Sequence, residues 1–292
     1  MDQAMLFDVP RDLFDVRHRF IRLDGEPPMH YVDEGEGPTL LLLHGNPGWS
    51  FQYRNVIGAL RNQHRCVALD YPGFGLSASP RAGYGFTPRE YSIVVERFVD
   101  ALGLGDLTLV VHDWGGPIGF ALAGRRPELV RRVVIGNTWA WPTNPRSARG
   151  RFARIMGGPI GRFLQINFNG FIRIAYGRTV TRRLPPKVIK MYLRPHRARA
   201  RRRAVAIFPG EILRSNGYLA EVQAGLARIG DRPVLILWGT RDPGFPADDR
   251  VRFEATFPNH RTVLFDNAAH FLFEEAPDEI VAAMRDFLRD GD

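Results

Sequence analysis

The stretch from Val110 to Gly119, Val-Val-His-Asp-Trp-Gly-Gly-Pro-Ile-Gly, governs how the rest of the chain is read. It ends the apolar run Leu107 to Val111, which has the length of a strand, and it opens a helical pattern from Gly115 to Ala123. Gly115 and Gly116 let that helix begin hard against the strand end. A turn this tight exposes its middle side chain, Asp113. Serine in that place would need a base to remove its proton, whereas aspartate attacks already ionised and forms an ester. Read alone, Asp113 is better explained as an N-cap opening the helix. The turn also carries Val111 where a small residue is usual. The surrounding chain reverses that judgement.

Outward toward the N-terminus lie Thr39 to Leu43 and Arg65 to Leu69, continuous apolar runs that suit strands buried on both faces. Arg17 to Leu23 and Met29 to Asp33 read as a hairpin around Gly25 and Pro27. Pro88 to Leu102 has helical periodicity, and Val130 to Ile135 is a further strand. After Asn137 the alternation stops. Residues 138–230 show helical segments and recurrent breakers, among them Pro142, Pro145, Pro185, Pro186 and Pro195. Alternation resumes with the strand Val234 to Trp238, a helix from Ala247 to Thr256, the strand Thr262 to Phe265 and a helix from Pro277 to Leu288. The expectation is a mostly parallel sheet flanked by helices, with right-handed crossovers. Residues 1–137 and 231–292 form its core domain, and residues 138–230 form a helical lid inserted after the sixth strand. A compact domain does not tolerate a structureless loop of that length.

Open parallel sheets bind ligands at the carboxyl ends of their strands. Asp113, Asp242 and His270 each follow such an end, in the order nucleophile, acid, histidine found in α/β-hydrolase triads. His270 sits in the small-residue loop Asn267-Ala268-Ala269-His270, where a general base can reach an ester on Asp113. A second constellation, His44-Gly45-Asn46-Pro47, follows Thr39 to Leu43. The backbone N–H groups of Asn46 and Trp114 can form an oxyanion hole. Their side chains add an amide N–H and an indole N–H, two neutral donors for a departing anion. Singly, Asn46 is as well explained as a turn residue before proline and Trp114 as core packing. His112 and His44 read as structural braces.

With these residues in place, His44 to Arg54 (HGNPGWSFQYR), Asp70 to Ser77 (DYPGFGLS) and Val110 to Gly119 resemble the haloalkane dehalogenases over nearly the whole chain. The resemblance implies an α/β-hydrolase fold. It implies a carboxylate nucleophile at Asp113, halide ligands at Asn46 and Trp114, and a general base at His270. That family places its acid after the strand before the lid or after the strand following it. Gly136-Asn137-Thr138 has no carboxylate, while Gly239-Thr240-Arg241-Asp242-Pro243 has Asp242. The resemblance is therefore to the third subgroup, with an Asn-Trp halide pair and the acid after the lid. Its implied partners are a small halogenated hydrocarbon, water and a halide ion; the sequence carries no metal-ligand cluster or nucleotide-binding loop, so no metal and no cofactor are expected. The rival reading is an epoxide hydrolase, which usually has a bulky aromatic where Asn46 stands and needs two lid tyrosines. Tyr176, Tyr192 and Tyr218 could supply them. A third reading is a non-catalytic ligand-binding relative.

Bulk properties bound these choices. The chain has 292 residues, 45% hydrophobic and 24% charged, which suits a folded core. Its single cysteine, Cys66, lies in an apolar run and is expected to be a buried, unreactive thiol in a reducing compartment. No apolar run approaches the roughly 20 residues of a membrane span. The N-terminus, with Asp2, Asp8 and Asp12, has no signal pattern. The expectation is a cytoplasmic protein with no nucleic-acid and no membrane partner. The net charge of +9 is nonetheless uneven, for no acidic residue lies between Glu128 and Glu211, a stretch containing Arg197, Arg199, Arg201, Arg202 and Arg203. A solvated Arg-rich helical face is the favoured account, with an anion, nucleic-acid or membrane patch as its alternative. Phe163, Leu164, Phe168, Phe171 and Ile172 are candidate pocket-lining residues of the lid.

Overall fold

The computed structural model describes residues 7–80 and 82–289, the side chains of residues 171, 174 and 178 excepted. Eight strands form one sheet: β1 (His18–Ile21), β2 (Met29–Glu34), β3 (Thr39–Leu43), β4 (Arg65–Leu69), β5 (Leu107–Val111), β6 (Val130–Gly136), β7 (Val234–Gly239) and β8 (His260–Phe265). They lie in the order β1-β2-β4-β3-β5-β6-β7-β8. The two N-terminal strands pair antiparallel, β2 runs antiparallel to β4, and all other pairs are parallel. β3 and β5 are deeply covered, as are β4 and β7: Leu40 to Leu43, Leu109 to Val111, Cys66 to Leu69 and Val234 to Leu237 are wholly buried. This explains their unbroken apolar sequence.

Helices pack on both faces. They are α1 (Arg54–Leu60), α2 (Pro88–Ala101), α3 (Gly115–Arg125), then α4 (Ala148–Gly157), α5 (Pro159–Phe168), α6 (Gly170–Arg178), α7 (Pro186–Leu193), α8 (Arg203–Arg214) and α9 (Asn216–Gly225) between β6 and β7, and finally α10 (Ala247–Thr256), α11 (Leu272–Glu275) and α12 (Pro277–Arg289). α2 starts on a capping box, Thr87 accepting from the Glu90 N–H and Glu90 from the Thr87 N–H, with Pro88 in the first turn. Among the described residues no strand interrupts the helical insertion between β6 and β7, as expected. The helix α1 went unforeseen; its seven residues include a glycine and give little periodic signal. Cys66 is buried as expected, and burial pushes its thiol up to about 12.

Register aligns the reactive edge. Leu43 pairs with Val111, Gly136 with Leu237 and Gly239 with Phe265. The segments after β3, β5, β7 and β8 therefore emerge at one edge of the sheet, because parallel strands in register end together. Those segments carry Asn46, Asp113, Asp242 and His270.

Candidate active site

Asp113 occupies the strand-to-helix turn with φ of +49°, in the left-handed region where a residue with a side chain is strained. The surroundings hold it there. Its N–H donates to the Asn137 carbonyl (3.0 Å), and its carbonyl accepts from the Thr138 hydroxyl. Gly115 is required because a Cβ there would lie 2.0 Å from the Leu43 carbonyl oxygen. Gly45 is required for a reason the sequence did not disclose: its Cβ would lie 2.2 Å from Asp113 Oδ1. Asp113 is not the N-cap of α3, which begins from Trp114 without a side-chain cap. Instead its carboxylate accepts the Asn46 N–H at 2.6 Å and also the Trp114 N–H. Burial raises its pKa above the ordinary carboxylate value; His270 and the two amides oppose that shift.

Asp242 and His270 form a pair on the neighbouring strand ends. His270 Nδ1 lies 2.9 Å from Asp242 Oδ2. With Nδ1–H donating to the carboxylate, the Nε2 lone pair faces Asp113, whose Oδ2 is 4.0 Å away. Asp242 is fixed in turn, its Oδ1 accepting the N–H groups of Gly244 (2.8 Å) and Phe245 (3.3 Å). Burial is the largest influence on His270 and opposes its protonation. The Asp242 charge and hydrogen bond, with Asp113 and Glu275, outweigh it and raise the imidazole above its usual value.

Several supporting residues were not singled out from sequence. Glu275 accepts the Ala269 N–H (2.9 Å), and Thr179 of the insertion accepts the His270 N–H (3.2 Å), so the histidine loop is held from two sides. The Phe245 ring stacks on His270 at 5.4 Å and 10°. Arg149 lies over the other partners of that stack, 4.9 Å from the Phe245 centroid and 5.3 Å from that of Trp139. The only sequence hint for Glu275 was its position five residues after His270; Arg149 gave none, lying far away in sequence. His112 and His44 have the bracing roles expected of them. His112 Nε2 donates to the His270 carbonyl at 2.8 Å, and His44 bridges Gly45 O and the Tyr71 N–H. Burial keeps both neutral, pulling His44 down to about 4 and His112 well below its usual value.

Asn46 and Trp114 are brought to the nucleophile, the first through its N–H and the second as its chain neighbour. The Asn46 side chain is under-used: Nδ2 reaches the Val205 carbonyl only at 3.5 Å, and Oδ1 is buried without a partner. Trp114 packs edge-on against Trp139 and Phe208. Of the three tyrosines, Tyr192 donates to Glu274 and Tyr218 to the Pro117 carbonyl (2.8 Å), leaving the buried Tyr176 hydroxyl unpartnered. Asn137 bridges β6 and β7, its amide donating to Gly239 O (3.0 Å) and accepting from Gly239 N (2.8 Å). Ile172 is buried, but Phe163, Leu164 and Phe168 are exposed and do not line a pocket. Phe171 lies outside the described side chains.

A family model of the alpha/beta hydrolase fold matches residues 38–277. Haloalkane dehalogenase 2 of Mycobacterium tuberculosis is 43% identical over 258 residues, covering 88% of this chain and 90% of that one. The chain belongs to the haloalkane dehalogenase family. The family's neighbourhood is chemically mixed. A cis-3-alkyl-4-alkyloxetan-2-one decarboxylase of Shewanella oneidensis is 33% identical, covering 94% of this chain and 89% of its own. Among solved structures, a putative ancestral haloalkane dehalogenase superposes with a TM-score of 0.83 at 26% identity, over 93% of this chain and 98% of that one. Membership fixes the fold. Choosing the reaction falls to the residues around Asp113.

Proposed function

We propose that this dehalogenase-family protein hydrolyses haloalkanes to an alcohol and halide through a covalent ester on Asp113. The observation that carries the reading is one carboxylate, Asp113, held by two backbone N–H groups 4.0 Å from the Nε2 of a His270–Asp242 pair. In the first step an oxygen of Asp113 forms a bond to the halogen-bearing carbon, and the carbon–halogen bond breaks with its electron pair on the halide. The Asn46 amide and the Trp114 indole are the proposed donors to that anion. In the second step His270 Nε2 takes a proton from water, and the hydroxide attacks the ester carbonyl of Asp113. The Asn46 and Trp114 N–H groups stabilise the resulting oxyanion. Collapse expels the alkoxide, which takes the imidazolium proton and leaves as the alcohol, and the carboxylic acid left on Asp113 releases its proton to return the carboxylate. Asp242 orients the imidazole and stabilises its charge. The overall balance is haloalkane plus water to alcohol, halide and a proton.

Residues 138–230 are the lid in this reading, and residues 1–137 with 231–292 the catalytic core. The Asn-Trp pair with Asp242 as acid supports the third subgroup. A cytoplasmic site of action is supported by the single, buried Cys66, which leaves no internal disulfide to form. Epoxide opening is less well supported, because Tyr192 and Tyr218 have their hydroxyls engaged and a lid pair is then lacking. The decisive experiment is His270→Phe exposed to 1,2-dibromoethane. Intact-mass measurement should find one alkyl adduct, mapped to Asp113, with no sustained turnover. Sustained bromide release by this variant, or an adduct on another residue, would remove the proposal.

A further inference from the structure

Helix α5 carries its apolar stripe on the outside. Ile160, Phe163, Leu164 and Phe168 share one helical face, and that face meets solvent: Ile160 is 77% exposed, Phe163 59% and Phe168 63%. The flank adjoining it, with Gly161 and Gln165, is buried. Gln165 Nε2 donates inward to the Met156 carbonyl at 2.7 Å. Ile155, 69% exposed at the end of α4, extends the stripe, and Phe163 and Phe168 meet edge-on at 6.3 Å. Of the ten large hydrophobic side chains exposed among the described residues, these five stand together. A docked helix ordinarily buries such a stripe, so a contiguous exposed one marks a contact surface.

The same face is strongly basic. Arg151 and Arg154 are exposed on α4, beside Ile155. At the far end of α5, Arg202 donates to the carbonyls of Ile166 (2.9 Å) and Asn167 (3.0 Å), which brings the Arg197–Arg203 segment to Phe168. Burial, and then the charges of Arg199 and Arg173, lower the Arg202 guanidinium from its usual value. Residues 129–210 hold 19 lysines and arginines and no aspartate or glutamate.

We propose that the outer face of α4 and α5, with its arginine rim, docks on an anionic phospholipid surface. Charge selects this occupant. A second copy placed face to face would set arginine against arginine with no carboxylate in residues 129–210 to compensate. A bilayer surface satisfies both features at once: Ile, Phe and Leu side chains enter the acyl boundary while guanidinium groups hold lipid phosphates. The helices lie along such a surface and do not cross it; no helix among the described residues is long and apolar enough to span. The geometry also relates this face to the reactive edge. α8 packs beneath α4 and α5 and presents Val205 and Phe208 to Asn46 and Trp114.

The test is co-sedimentation of the full chain with vesicles of phosphatidylcholine alone or mixed equally with phosphatidylglycerol. Binding is expected to the mixed vesicles only, and raised salt should release it, since the attraction is partly screened charge. Ile160→Glu with Phe163→Glu should weaken binding at least about tenfold, and Arg151→Glu with Arg154→Glu by about fivefold or more per arginine. All four side chains are surface groups outside the catalytic constellation, and unchanged circular dichroism and melting will verify that each variant folds. Protein left in solution with the mixed vesicles, or variants that bind as well as the parent, would overturn the proposal. So would a concentration-dependent dimer that the Ile160→Glu, Phe163→Glu variant abolishes while vesicles capture nothing; the face would then belong to a second copy.

Discussion

At Asp242 one oxygen meets His270 and the other accepts two backbone N–H groups, so this carboxylate both aims the imidazole and sets its proton affinity. The sign of the pH effect follows. His270 acts as a base only when neutral, and its pKa is raised above 6.5, burial being outweighed by Asp242 and Asp113. Turnover limited by ester hydrolysis should therefore rise with pH through an acid limb set by His270; esterification removes the Asp113 charge, so Asp242 is the carboxylate that holds that limb up against burial. In Asp242→Asn the largest raising influence is gone and burial prevails, so the limb should move below the ordinary histidine value. The hydrolytic rate should also fall by about 10²–10⁴-fold, with ester accumulating. Steady-state kcat profiles across neutral pH check both effects. An unmoved acid limb would mean that Asp242 does not govern His270. That Asp113, Asp242, His270, Asn46 and Trp114 come together at one edge of the sheet was legible in sequence, because strand ends and glycines mark their positions. Gly45 was not read for its role, since the close approach that demands it joins residues 68 positions apart.

The elements show a different pattern of legibility. β3, β4 and β5 end where the sequence placed them, because runs buried on both faces are bounded sharply by turn residues. The insertion was recognisable by its missing strands, but not its orientation. Phe163, Leu164 and Phe168 were expected inward and lie outward, since periodicity defines a stripe and not the side it faces. Nor did sequence reveal how α4 is anchored. Arg149 pairs with Asp249 of α10, which also accepts the Trp141 indole N–H (2.9 Å), and it donates to the Gly244 carbonyl (3.1 Å) next to the loop of Asp242. Arg149 and Asp249 are nearly buried, so removing one partner strands a charge. Arg149→Met should cost about 3–5 kcal/mol in urea unfolding. Arg149→Met with Asp249→Asn should recover most of that loss, as no lone carboxylate remains. A double variant as unstable as the single one would show that the stack on Trp139 and Phe245, and not the ion pair, anchors α4.

Across the whole molecule, insertion and sheet are joined at points spread around the reactive edge. Thr179 accepts from the His270 N–H, Arg182 donates to Glu275 O (2.8 Å), Tyr218 donates to Pro117 O (2.8 Å), and Arg149 pairs with Asp249. Apolar packing continues across the same boundary, with Phe208 against Phe74, Tyr91 and Trp114, and Tyr176 against Phe271. Insertion and sheet therefore share one buried hydrophobic cluster, and the sheet edge would lose its cover if the insertion lifted away. Under such coupling the two parts unfold as one cooperative unit despite the size of the chain. Trp114, Trp139 and Trp141 lie at the junction, so tryptophan fluorescence reports separation of the parts while far-ultraviolet circular dichroism reports total helix. The two signals should give one coincident urea transition. A fluorescence change at lower urea than the loss of helix would show that the insertion opens as an independent unit, and the contacts named above would then be too weak to couple it to the sheet.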